Sequence, residues 1–371
     1  MKKLMIIVPI LLLSFTLCSC GPKEQNNIQP TTPPTPQPTA GATAAPATTI
    51  APTGTGNTDN QTVQYYIYTA NETADTVSVI DSISLKTVKD IKVGKGPHNV
   101  QATPNGKYVY VVESKGNSIS AIDAVKNKIK KTIRVGTNPS HIIFSPDSNY
   151  AYVTVSEMEE PKGGMDSMTE KQKGNVYVID LKKGDVVKKI PVGYMPHGLR
   201  LSADGEYIYV ANNDSDTVSV IDIVTNSVTN TIDVGKKPVQ VAPSPDGRYV
   251  FVTLSEDSSI AVIDTSSLTV VKTIPVGSTP IQVFVTPDNK SVFVADSGSD
   301  NITVIDVASL TVVNTIPAGK KTHGVAIDKK GKNAFVTNTD SNDVTVVDIA
   351  SGTVIGTVPV GKGPNGITIL E

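Results

Sequence analysis

The feature that most constrains this chain is an internal repeat. An apolar–apolar–Asp triplet recurs as Val79-Ile80-Asp81, Ala121-Ile122-Asp123, Val178-Ile179-Asp180, Val220-Ile221-Asp222, Val262-Ile263-Asp264, Val304-Ile305-Asp306 and Val346-Val347-Asp348. The intervals between the aspartates are 42, 57, 42, 42, 42 and 42 residues. A second marker, Gly94, Gly136, Gly193, Gly235, Gly277, Gly319 and Gly361, keeps the same series. One repeat is therefore lengthened by an insertion of 15 residues. A period of this length belongs to arrays in which each unit buries its apolar face against its neighbours.

Within a repeat the apolar period is two. In the fourth, Val239-Gln-Val-Ala precedes the turn Ser244-Pro245-Asp246-Gly247, and Tyr249-Val-Phe-Val-Thr follows. Then come Ile260-Ala-Val-Ile-Asp and Val270-Val-Lys-Thr-Ile-Pro-Val. These are four short strands of β-branched and aromatic residues bounded by turn formers. In Ser-Pro-Asp-Gly, proline presets φ and glycine supplies φ > 0. Four-stranded units arranged in a ring make a propeller. The chain enters at Tyr65-Tyr-Ile-Tyr-Thr, which matches the second strand of a repeat, and ends at Asn365-Gly-Ile-Thr-Ile-Leu, which matches the first. Three strands at the start and one at the end complete a seventh blade. The expected fold is an all-β, seven-bladed propeller closed by its C-terminal innermost strand.

The repeats resemble those of the YVTN β-propeller family. Phe335-Val336-Thr337-Asn338, Tyr209-Val210-Ala211-Asn212, Ser244-Pro245-Asp246-Gly247 and Val-Ile-Asp recur as that family's repeat would, over the whole of 63–371. The resemblance is specific for fold and weak for function. It implies kinship with surface-layer and other cell-surface proteins. Similar propellers serve lactone-handling enzymes and copper or haem enzymes of nitrogen metabolism.

The N-terminus has its own pattern. Lys2 and Lys3 precede an apolar run from Leu4 to Leu17, and then Leu17-Cys18-Ser19-Cys20-Gly21 resembles a bacterial lipobox. Residues 1–19 would be a lipoprotein signal peptide, with Cys20 acylated and first in the mature chain. Residues 20–62 are rich in Pro and Thr, with too little apolar surface to offset ordering entropy, and are expected to be a disordered stalk. The propeller, 63–371, would then be held outside the cytoplasm by lipid. It would contain no cysteine, so its core alone must stabilise it.

Composition narrows the partners. The chain has 33 Lys and Arg against 35 Asp and Glu, a net charge of −2; loss of Lys2 and Lys3 with the signal makes it −4. That balance excludes nucleic acid as a bulk electrostatic partner. The absence of Trp disfavours a tryptophan sugar platform. No Gly-x-Ser-x-Gly elbow, P-loop or dinucleotide fingerprint is present, so no catalytic residue and no cofactor is assigned. The seven repeated aspartates read as turn and strand-end residues.

The candidate site is the face from which the chain enters the innermost strands. All four histidines, His98, His141, His197 and His323, lie four or five residues after a marker glycine. His98, His197 and His323 share one column, on blades one, three and six counted from His98. His141 is one residue later, so its side chain is expected to face the other way. Two readings stand: inherited turn residues, or ligand contacts converging on the channel mouth. No His-x-x-x-His pair accompanies them, and no metal ligand is assigned.

The inner loops also carry Lys95, Lys236, Lys237, Lys320, Lys321 and Lys362, while the outer loops of the same face are acidic, with Glu72, Asp75, Asp214 and Asp300 among them. A basic centre inside an acidic rim would focus a small anion, held more weakly as salt rises or the histidines lose protons. Tyr194 and Met195 are candidate apolar contacts. The insertion, Ser156 to Lys173, is expected to overhang this face.

The leading functional expectation is a non-enzymatic cell-surface binding module, its partner an unidentified protein, glycan or small anion at this face. The alternatives are a lyase- or lactonase-like enzyme at the channel mouth and, third, a metal or redox site on the histidines.

Overall fold

The computed structural model describes residues 64–157 and 173–371. The signal, Cys20, the stalk and most of the insertion lie outside them. Twenty-eight strands, β1–β28 in chain order, form seven four-stranded antiparallel sheets. Six sheets are contiguous repeats. The seventh has the order β28 (Pro364–Leu370), β1 (Tyr66–Asn71), β2 (Thr76–Asp81) and β3 (Lys86–Lys92), so the two ends of the propeller share one blade as expected. The innermost strands are β4 (Pro97–Ala102), β8 (Pro139–Phe144), β12 (Pro196–Leu201), β16 (Pro238–Pro243), β20 (Pro280–Val285), β24 (Thr322–Ile327) and β28. Each contacts the next, and β28 contacts both β24 and β4, so the ring is closed.

Alternation along each strand sends apolar side chains to both faces of a blade, and the core lies between blades. Tyr110, Val112 and Ile119 of blade one pack against Ile142, Phe144 and Val153 of blade two. Ile67 and Ile80 of the shared blade pack against Phe335 and Val346 of its neighbour. The outermost strands bury little: in β3 one residue, Ile91, is buried, while its lysines face solvent. An extra residue opposite Val79/Ile80 bulges that edge, which discourages further strand pairing.

The repeat residues act as turn chemistry predicts. Asp222 Oδ1 accepts the backbone N–H of Val224 at 2.9 Å and of Thr225 at 2.7 Å. The threonine of the Tyr-Val-Thr strand does something further. Thr154 Oγ1 accepts the N–H of His141 at 3.0 Å and donates to the carbonyl of His197 at 2.7 Å. Thr337 likewise accepts from Gly324 N–H and donates to Asn365 O, both at 2.7 Å. Each hydroxyl thus joins one innermost strand to the next, across a blade boundary that backbone pairing does not cross.

All seven innermost strands start irregularly. Pairing shifts between Pro97 and Asn99, between Pro139 and Ile142, between Pro196 and Leu199, and at the matching place in the other four. A bulge suspends the two-residue alternation, so consecutive side chains can share a side.

Candidate functional site

That irregularity builds the site. The residues four places after the marker glycines are His98, Ser140, His197, Val239, Ile281, His323 and Asn365, one per blade. All but Asn365 line a cavity of about 480 Å³ at the top of the channel. Val239 and Ile281 form an apolar side, and Glu72, Lys115 and Met195 contribute to the lining. The convergence of His98, His197 and His323 is thus seen directly.

His141 corrects the expectation that it faces away. Its ring centroid lies 4.5 Å from that of His197 and 5.4 Å from that of His98. The bulge lets it join the cluster despite its one-residue offset. Nitrogen atoms of His98, His141 and His197 all lie within 4.8 Å of one another. His323 stands further off, its ring 6.2 Å from that of His98.

The ring nitrogens form an ordered chain. Asn365 Nδ2 donates to His98 Nδ1 at 3.1 Å. His98 Nε2 and His197 Nε2 are 3.2 Å apart. His197 Nδ1 faces the carbonyl of Val239 at 3.1 Å and must donate to it. The consistent assignment gives His98 its proton on Nε2 and leaves His197 Nε2 as the acceptor. His141 Nδ1 bonds Ser140 Oγ at 3.0 Å. His323 Nδ1 is buried with no partner among the described residues.

Electrostatics disfavour charge on three of the four rings. Burial, and then the neighbouring His98, push His197 down to about 3; burial, His98 and His197 push His323 down to about 3. Burial and then His197 drive His141 well below the usual imidazole value. The expected imidazolium contribution to anion binding therefore does not come from these three at neutral pH. Glu72 is held down at about 2, first by the His98 imidazole beside it. Its Oε2 lies 3.5 Å from His98 Nδ1 and accepts from Asn365 at 2.9 Å, and its Oε1 meets Lys115 Nζ at 3.2 Å. Arg200 forms no ion pair among the described residues; its Nη1 donates to Leu199 O at 3.2 Å, and burial lowers it to about 10.

The lysines do not form a basic centre. Lys95 pairs with Asp75 and Lys237 with Asp214, Lys320 meets Asp300 at 2.7 Å, and Lys321 lies 3.9 Å from Asp340. Each is at least two-fifths exposed, on the rim. Lys236 places its backbone N–H on Asp257, and neither it nor Lys362 lines the cavity. Four of the six lysines thus sit against carboxylates of the outer loops. Met195 lines the cavity; Tyr194 does not, and donates its backbone N–H to Ser215 Oγ at 2.6 Å. Of the insertion, Ser156, Glu157 and Lys173 are described: Ser156 lines the cavity, and Glu157 bonds Tyr177 and Lys189 on the blade edge.

Sequence reasoning placed Glu72 in the acidic rim and passed over Asn365, Lys115 and Arg200. Asn365 was findable, since it occupies the histidine column of the closing blade. Glu72 and Lys115 come from loops between second and third strands, whose reach over the mouth no spacing reveals.

Fold and site together define a seven-bladed propeller with a histidine-lined mouth to its central channel. The chain belongs to the YNCE-like beta-propeller family, whose model matches residues 40–160 and 299–371, more than half of the chain. The cytochrome D1 heme domain matches residues 161–283. No curated protein matches the chain. Among solved structures, Kuenenia stuttgartiensis hydrazine synthase superposes with a TM-score of 0.65 at 24% identity, over 73% of this chain and 88% of that one. A functionally unknown protein from Desulfotomaculum acetoxidans gives 0.69 at 17%, over 82% and 99%. Dihydro-heme d1 dehydrogenase NirN in complex with DHE gives 0.60 at 15%, over 82% and 74%. At these identities the likeness is one of fold.

Proposed function

We propose that this protein is a non-enzymatic binding propeller, held outside the cytoplasm by a lipid on Cys20, that takes a small ligand at the mouth of its channel. The observation that carries the reading is the convergence of four histidines, from blades one, two, three and six, on one place. These are all the histidines of the chain. A cavity of about 480 Å³ with one apolar side and a few convergent polar groups has the size and character of a small-molecule site. The leaning against catalysis rests on the cluster's composition: its histidines are bonded to one another and to their own blades, and its one carboxylate, Glu72, is engaged by His98, Asn365 and Lys115.

The match to a cytochrome D1 heme domain raises a tetrapyrrole as a second reading. A macrocycle needs an imidazole standing clear of its neighbours and a flat apolar slot. Here His98 abuts His197 at 3.2 Å and His141 lies against both. The matched segment, moreover, contains one of the four histidines, His197. The residues present suit a single ion or a compact ligand, and they do not fit a haem between them.

The test is a thermal-shift screen of the chelator-treated full chain against small metabolites. Hits are then titrated on His98→Ala and His197→Ala. At least a tenfold loss in both, with unchanged circular dichroism, is expected. Undiminished affinity in both would place recognition elsewhere on the molecule.

A further inference from the structure

We infer that His98, His141 and His197 form a three-imidazole site for a divalent late first-row transition-metal ion, with zinc as its reference occupant, and that its remaining coordination position opens into the cavity. The site rests on the reading of the mouth as a ligand site and names the ligand's class.

The nitrogen spacing suits an ion. Imidazole nitrogens bind zinc at about 2.0–2.1 Å, so two of them on a tetrahedral ion stand about 3.4 Å apart. His98 Nε2 and His197 Nε2 are already 3.2 Å apart. The widest separation within the trio is 4.8 Å, which small ring rotations would close. Three imidazoles with one open position make a ligand set that zinc, copper and nickel accept.

The other ring nitrogens are placed to match. Metal-bound histidines commonly bond their outer nitrogen to a carboxylate, carbonyl or hydroxyl, which fixes the ring and its tautomer. All three have such a partner. His197 Nδ1 bonds Val239 O, His141 Nδ1 bonds Ser140 Oγ, and His98 Nδ1 faces Asn365 and the Glu72 carboxylate. Nε2 is left for an ion in each. On binding, His98 must give up its Nε2 proton and carry one on Nδ1, and Glu72 Oε2 stands 3.5 Å away to accept that N–H. The proton moves from Nε2 to Nδ1 by way of solvent, so no net proton is released, and Asn365 Nδ2 keeps Glu72 as its acceptor.

Two of the three ligands are also tied together through their backbones. Thr154 Oγ1 bonds the N–H of His141 and the carbonyl of His197, so one hydroxyl sets the spacing of two ligands on different blades. Thr253 and Thr337 make the same bridge in other blades, so the site uses a tie that the repeat already provides. Charge sets a condition. Arg200 acts electrostatically on His141 and opposes a dication, and Lys115 offsets Glu72. The ion is best held when its open position carries an anion, hydroxide or a ligand carboxylate.

The experiment uses the full chain, stripped by chelator, and Co2+ as a spectroscopic stand-in for Zn2+. One equivalent of Co2+ should give ligand-field bands without thiolate charge transfer, and Zn2+ should displace it. His98→Ala and His197→Ala should each weaken binding at least 100-fold. Glu72→Gln should weaken it about tenfold, the low end for a partner that orients a metal-bound imidazole. His323→Ala should change it less than threefold. His141 is buried, so His141→Gln is paired with a thermal-melting control, and if it does not fold, His98→Ala and His197→Ala decide the question. Absent bands, bands unchanged in those two variants, or thiolate bands from Cys18 or Cys20 would overturn the assignment. Absent Co2+ bands together with a small-molecule hit that binds the stripped chain and is lost in His98→Ala would overturn the metal while leaving the mouth as the ligand site.

Discussion

His98 and His197 are 99 residues apart in sequence, yet their Nε2 atoms stand 3.2 Å apart across the channel mouth. The blades that carry them are separated by the one that carries His141, whose ring lies within 5.4 Å of His98 and 4.5 Å of His197. Neighbouring innermost strands thus deliver three imidazoles to one point.

Such a cluster makes stability depend on pH. The folded protein holds His197 and His323 neutral down to about pH 3, against about 6.5 in an unfolded chain, and burial also holds His141 well below its usual value. Between those values the unfolded chain binds more protons, so acid favours unfolding. Folding free energy should be level above pH 7 and fall steadily as pH drops from 6.5 toward 3. Urea titrations at several pH values check this, and His323→Gln should flatten the slope.

A second ionisable group acts in the opposite sense. Asp296 is fully buried, its Oδ1 unpaired, and burial pushes its carboxyl up to about 6. The equivalent residue in three other blades is Asn71, Asn212 or Asn338, whose amide donates to two side chains of the next strand. In the Asp296 blade neither Asp296 Oδ1 nor the matching Asn301 Oδ1 has a partner among the described residues. Asp296→Asn should supply that donor and stabilise the propeller by about 1–2 kcal/mol at pH 7. The gain should shrink below pH 4, because a raised carboxyl costs stability only as pH climbs from 3.8 through 6. Equal gains at pH 7 and pH 3.5 would show that the buried charge is not the cause.

Ring closure rests on β28. It pairs with β1 from Tyr66↔Leu370 to Asn71↔Pro364 and buries Ile367 between blades. Deleting residues 365–371 removes a ladder and its burial together. The loss should be about 3 kcal/mol or more, seen as a lower melting temperature. An unchanged melting temperature would refute closure by the C-terminal strand.

The proposed display on a membrane rests on Cys20. Cys20→Ala should abolish incorporation of labelled palmitate and release the propeller from the membrane fraction. Undiminished labelling would remove the lipid anchor from the proposal.

The architecture was legible because repetition is: the spacing of Asp81 and its equivalents set blade number and closure, and alternation set the strands. The site was legible in part. A column count found His98, His197 and His323, since each blade places that column at the channel. It misdirected His141, because strict alternation ignores the bulge that begins every innermost strand. The lysines misled for a different reason. Counted along the chain they look like a basic centre, whereas in space Lys320 and Lys321 lie against Asp300 and Asp340 of neighbouring loops. Linear order cannot show which opposite charges will touch. The role of Thr154 was hidden as well, since a β-branched strand residue reads as propensity until its hydroxyl is seen bridging two blades.

Whether the channel mouth holds a metal is tested most directly by anomalous diffraction from crystals of the protein grown with Co2+, collected on both sides of the metal edge. One peak is expected at the mouth, about 2.1 Å from a ring nitrogen of each of His98, His141 and His197. Crystals that show no peak there, with His98 and His197 still in direct Nε2···Nε2 contact, would contradict the three-imidazole site.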